Sequence, residues 1–166
     1  MKPENSDLPI LEALIKARDI EDQLSTRYSQ FAEFTDNEVA NSLFIHLASE
    51  CRKHSCMLDD LSGLLGNAVN LNYGGDLMPG RLPEIGSVID QPTAIETTFK
   101  IVKEHTAVEE SVLQYYIDIS RVVSNDEASG IIHRLIEDER SHHEILGRLT
   151  SDLMELYGER LSLNSE

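Results

Sequence analysis

The chain has 166 residues, 40% of them hydrophobic, and a formal net charge of −16. That is enough for one domain over residues 1–166 with a hydrophobic core of its own. The acidic balance excludes a basic phosphate-binding face, and with it nucleic acid as a partner. No run of about 18 apolar residues is present to span a membrane. The opening stretch, MKPENSDLPI, lacks the apolar segment of a secretory signal, so a cytoplasmic location is expected.

Four segments carry helical period. The first runs from about Asp7 to Phe34, with Leu11, Leu14, Arg18, Glu21, Leu24, Tyr28 and Phe31 recurring at three- and four-residue steps. The second runs from about Asp36 to Leu65 and places Ala40, Leu43, Leu47, Cys51, His54, Leu58, Leu61 and Leu65 on one stripe. Cys51 and Cys56 share this helix with α-carbons roughly 8 Å apart, too far for an unstrained disulfide. The third starts near Gln91-Pro92, where proline suits a first turn. It carries Ile95, Phe99, Val102, Glu109, Val112, Tyr116 and Ile119. The fourth runs from about Asn125 to Leu156, with Ala128, Ile131, Leu135, Glu139, His142, Leu146, Leu149 and Leu153 in line. Thr35-x-x-Glu38 and Ser124-x-x-Glu127 read as capping boxes at the starts of the second and fourth helices. The resulting short turns make two antiparallel hairpins. Between them, over about 66–91, lies a Gly-, Pro- and Asn-rich connection long enough to cross the bundle. The expected fold is all-α: an antiparallel four-helix bundle of two helical hairpins joined by a long crossover.

The two hairpins resemble one another. Displacing the chain by 88 residues places Glu21 on Glu109, Tyr28 on Tyr116, Asn37 on Asn125, Ala40 on Ala128 and His54 on His142. Leucine on leucine is expected of any two amphipathic hairpins. Glutamate, tyrosine and histidine at one offset point to a duplicated unit. Each stripe holds an ionisable residue near its middle: Glu21, His54, Glu109, and the pair Glu139 and His142. A carboxylate turned into a core costs several kcal/mol unless it is paired or bound to metal. Singly, His54 reads as a hydrogen-bonded core histidine, and Glu21 as a partner of Arg18. Together, with 33 residues from Glu21 to His54 and again from Glu109 to His142, they read as metal ligands. Glu at i and His at i+3 share a helix face, so Glu139 and His142 can reach one ion. Tyr28 and Tyr116 are expected to pack, or else to donate hydrogen bonds to ligands. His46, His105, His133 and His143 read as surface or boundary residues, although His105, beside Glu104, could extend the site.

At these residues the chain resembles the ferritin-like superfamily, most closely its rubrerythrin and bacterioferritin branch. IEDQLSTRY resembles the first-helix motif and gives Glu21. CRKHS gives His54, VEESVLQYY gives Glu109, and EDERSHHEIL gives Glu139 and His142. The resemblance covers about residues 8–157. It implies two iron ions, with manganese or zinc as other occupants. One would be held by Glu21 and His54, the other by Glu109 and His142, with Glu139 bridging. The family's second bridging carboxylate falls at position 51, where this chain has Cys51. Three readings stay open there. The thiol is itself a ligand. Glu50, about 100° around the helix, swings in. Or the first metal position is weak, and the chain holds one ion or none.

The expected function is therefore a metal-dependent oxidoreductase that reacts ferrous iron with dioxygen or peroxide at a site altered by Cys51. The alternative is a non-catalytic bundle with one structural or stored metal, or none. No rubredoxin-like segment is present, so peroxide reduction would need a separate electron donor. The segment after Leu156 is too short for a clear fifth helix, and a homodimer is expected rather than a storage shell.

Overall fold

A computed structural model of the protein describes residues 8–67 and 95–163. Four helices account for nearly all of them: α1 over Leu8–Phe34, α2 over Glu38–Asn67, α3 over Ile95–Ser120 and α4 over Asp126–Leu163. Among the described residues there is no sheet, and no helix is long and apolar enough to cross a membrane. α1 packs along α2, and α3 along α4, as antiparallel hairpins; α2 also lies against α4. α1 and α3 meet through long side chains instead. Tyr115 on α3 donates its hydroxyl hydrogen to the Ala13 carbonyl on α1 at 3.0 Å. The fold is thus the all-α four-helix bundle expected. The start proposed for the third helix, near Gln91-Pro92, and nearly all of the crossover lie outside the described residues.

The turns are built differently from the expected capping boxes. α2 begins at Glu38, not Asp36, and its N-cap is Asn37, whose side-chain oxygen accepts the Ala40 amide hydrogen at 2.9 Å. α4 begins at Asp126, and Asn125 caps Ala128 at the same 2.9 Å. An Asn side chain is as good a cap as Ser or Thr, and here it stands one or two residues nearer the first helical turn. The Thr35 hydroxyl instead accepts the Asn37 amide hydrogen at 3.3 Å, tightening the turn. The equivalent roles of Asn37 and Asn125 follow the register of the internal repeat. α4 also runs seven residues beyond Leu156, to Leu163.

The stripes read from sequence face inward almost without exception. Leu14, Leu24, Tyr28, Phe44, Leu47, Leu58, Leu61, Leu65, Ile119 and Leu135 are fully buried. Burying a leucine contributes about 1.5–3 kcal/mol of transfer free energy, so these rows hold the helices together at fixed depth. Arg18 leaves the stripe: it reaches outward to Asp59 at 3.0 Å and Asp19 at 3.3 Å. It therefore takes no part in neutralising Glu21. On α4, Ile132 rather than Ile131 completes the core layer. Both cysteines are free thiols, Cys51 buried and Cys56 exposed.

Candidate metal centre

Halfway along the bundle the leucine layers give way to charge. α1 contributes Glu21, α2 Cys51 and His54, α3 Glu109, and α4 Glu139 and His142, all buried. His54 Nδ1 lies 3.0 Å from Glu139 Oε1 and 3.4 Å from Glu21 Oε1. His142 Nδ1 lies 3.7 Å from Glu139 Oε2. The two imidazole rings stack with centroids 5.1 Å apart. Glu21, His54 and Glu139 each offer a donor atom within 4.8 Å of the other two, and so do Glu109, Glu139 and His142. Glu139 belongs to both groups. A third group of the same compactness joins Glu50, His54 and His142. Cys51 is in none of the three.

The outer contacts of these groups are orderly, and they cross between hairpins. Tyr28 of the first hairpin donates to Glu109 of the second at 2.5 Å, and Tyr116 of the second donates to Glu21 of the first at 2.5 Å. The tyrosines therefore pack and donate at once, each to the acid of the opposite half. His54 Nε2 sits 3.4 Å from Asp138 Oδ2, leaving the other nitrogen turned to the inner carboxylates. A carboxylate behind a ligating histidine in this way fixes its ring and tautomer.

The inner atoms are left over. Glu21 Oε2, Glu109 Oε2, both Glu139 oxygens and Nδ1 of His54 and His142 are buried without a hydrogen-bond partner. Such atoms normally find partners inside a protein. Carboxylate oxygen and imidazole nitrogen are donors suited to iron, manganese or zinc, so residues and cation fit. Cation-free, the cluster redistributes protons. Burial and the neighbouring Glu139 push Glu109 well above the ordinary carboxylate range. Burial and the Glu21 charge raise Glu139 to about 7. Burial works against a charged His54, but the Glu139 and Glu21 carboxylates outweigh it and raise that imidazole to about 11. Glu21 is the acid that stays ionised. Burial pushes it up, but His54, Tyr116 and Cys51 together pull it below its usual value. The Cys51 thiol is pushed far up, by burial and then by Glu21, Glu109 and Glu139.

Of the remaining histidines, His46 and His133 are exposed and His143 is half-buried, as read from sequence. His105 is a correction: it is buried, with its ring 5.0 Å from Tyr28 and 5.1 Å from Phe31. Burial, then the nearby Arg27 charge, lowers it to about 3. It belongs to none of the three donor groups. Its place on the α3 stripe, between Val102 and Glu109, is the signal that could have found it. Glu50, one of the three readings left open from sequence, does lie within reach of His54 and His142, whereas Asp138 was not legible as a neighbour of the site, because it lies one position beside the α4 stripe.

Four antiparallel helices around a buried cluster of carboxylates and imidazoles define the ferritin-like class of bundles. The rubrerythrin family profile matches residues 12–150, and the chain belongs to that family. Among solved structures it is similar to a hypothetical protein from Pyrococcus furiosus, with 21% identity, a TM-score of 0.70, and coverage of 92% of this chain and 95% of that one. A search of curated proteins gives no match.

Proposed function

We propose that this chain holds two iron ions in the bundle core and works as an oxidoreductase on dioxygen or peroxide. The observation that carries the reading is the convergence of six unpartnered buried donor atoms on two groups that share Glu139. Glu21 and His54 would hold one ion, Glu109 and His142 the other, and Glu139 would lie between them. Bound iron supplies the electrons for oxygen chemistry. The chain's own residues do the rest. Tyr116 and Tyr28 hold Glu21 and Glu109 by one oxygen each, leaving the second oxygen free. Asp138 orients His54. The leucine layers on either side exclude bulk water, which strengthens every charge contact within. In this reading the chain pairs with a second copy, and a separate donor returns electrons.

Metal analysis of the full chain reconstituted with ferrous iron tests the proposal. Two irons per chain are expected, together with oxidation of that iron by peroxide. Glu139→Gln, which removes an oxygen donor common to both groups, should lose most of both. Retention of two irons by that variant would refute the shared-carboxylate arrangement.

A second reading has its own support. Position 51 offers a thiol in place of a carboxylate, so the Glu21–His54 group has one carboxylate fewer than the family pattern implies. A non-catalytic bundle with a single ion follows if iron analysis gives one equivalent and no reaction with peroxide.

A further inference from the structure

The third donor group, Glu50 with His54 and His142, is not accounted for by the two inner positions. Two imidazoles and a carboxylate, with donor atoms within 4.8 Å of one another, are a sufficient set for a first-row divalent ion. Both histidines are almost wholly buried, and their unpartnered Nδ1 atoms are the same ones that face the inner carboxylates. Glu50 differs from the inner acids in access. Its side chain is 23% exposed, whereas those of Glu21 and Glu139 are 0% exposed. Among the carboxylates of the three donor groups it is therefore the one that an ion arriving from water can reach first.

A cation already stands there. Lys53 Nζ lies 3.0 Å from Glu50 Oε2 and 3.1 Å from Asp138 Oδ2. Asp138 in turn faces His54 Nε2 at 3.4 Å. The half-exposed ammonium thus neutralises both acids at the rim of the site. An exposed lysine pair of this kind contributes little, so a divalent ion with three donors to gain can displace it.

Resting on the metal-binding reading above, we infer that Glu50, His54 and His142 form an outer position at which a divalent cation is first captured, displacing the Lys53 ammonium, before it moves to the inner groups. The sharing of ligands sets the order. His54 also belongs to the Glu21 group and His142 to the Glu109 group. An ion at the outer position competes with the inner ones for those imidazoles and is passed inward rather than kept as a third resident. Glu50 is then the carboxylate that α2 brings to the site in place of the one missing at Cys51, used for entry rather than for residence.

The test is Co(II) uptake by the metal-free full chain, followed by the visible absorption of bound Co(II) in stopped flow and by equivalents bound at equilibrium. Glu50→Gln should slow uptake at least about tenfold, the size of effect typical of residues that support a metal site, with the equilibrium equivalents unchanged. Lys53→Met, which keeps the stem and removes the competing charge, should speed uptake. Asp152→Asn, an exposed site farther along α4, measures the effect of losing one negative charge anywhere on the surface. Glu50→Gln loading at the Asp152→Asn rate overturns the inference while leaving the metal centre standing. So does a slowing by Lys53→Met, or a loss of bound equivalents in Glu50→Gln. Should Glu50→Gln fail to fold by circular dichroism, the Lys53→Met rate alone decides. A wild-type chain that takes up no Co(II) overturns both this inference and the metal-binding reading on which it rests.

Discussion

Cys51→Glu should lower the stability of the metal-free chain and enlarge the stabilisation that metal brings. The thiol at this position is fully buried and lies near three carboxylates. A glutamate there adds bulk to a packed layer, at about 1–3 kcal/mol. It also adds a buried polar group without a partner, at about 1–3 kcal/mol more. The metal-free variant should therefore lose about 2–6 kcal/mol. For a chain of this size each kcal/mol moves Tm by about 2–4 °C, so the melt should fall by at least about 4 °C. Metal should offset part of this loss. An ion at a hundred times its Kd stabilises the folded state by about 2.7 kcal/mol, and the gain grows as Kd falls. A second carboxylate on the Glu21–His54 side should lower Kd, so the metal-induced rise in Tm should be larger in the variant than in the wild type. Thermal melts with and without Mn(II), which avoids oxidation, alongside metal analysis, give both numbers. A metal-free variant as stable as the wild type would show that position 51 is not crowded by acids. A metal-induced rise no larger than that of the wild type would show that the thiol is no handicap to binding.

The crossed tyrosine bonds should be unequal. Glu21 is held ionised and Glu109 neutral, so Tyr116→Phe should cost about 1.5–3 kcal/mol and Tyr28→Phe about 0.5–1.5 kcal/mol in urea unfolding of the metal-free chain; the reverse order would contradict the assigned protonation. His105 has a folded pKa of about 3, below its unfolded value. It therefore contributes stability that is fully present above about pH 6.5 and is lost as pH falls toward 3. Between pH 7 and 5 the wild type should lose about 2 kcal/mol relative to His105→Phe, a ring of similar shape that cannot charge. Parallel pH profiles of the two proteins would show that the histidine is not held neutral. Asn37→Ala and Asn125→Ala should each cost about 1 kcal/mol in the same unfolding assay, whereas Thr35→Ala and Ser124→Ala should cost less.

Much of the fold was legible because burial in a helix bundle is periodic. Leu47, Cys51, His54, Leu58, Leu61 and Leu65 share one face of α2 whatever their chemistry, and the structure buries all of them. An acid or imidazole in such a row stands out against its apolar neighbours, and this is how Glu21, His54, Glu109, Glu139 and His142 could be read in advance as one cluster. What stayed hidden depends on relations between helices or on one-residue choices. The pairing of Tyr28 with Glu109 and Tyr116 with Glu21 is set by how the hairpins face each other, which no single stripe records. The preference for Asn37 over Thr35 as a cap turns on where the first helical turn closes. Asp138 flanks its stripe and becomes a neighbour of the site only through its contact with His54. His105 read as a surface or boundary residue, although its own stripe position marked it as buried.

The exchange of hydroxyl for carboxylate between the two hairpins has a consequence for descent. Each half carries a tyrosine whose acceptor lies in the other half, so neither half satisfies its own polar atoms. Two identical copies of one hairpin, related by a twofold rotation, would make the same two bonds and enclose the same acids. A short ancestral gene could have produced such a pair, with fusion following later. Once joined, the copies no longer had to stay alike, and one could keep its glutamate at 139 while the other drifted to sulfur at 51.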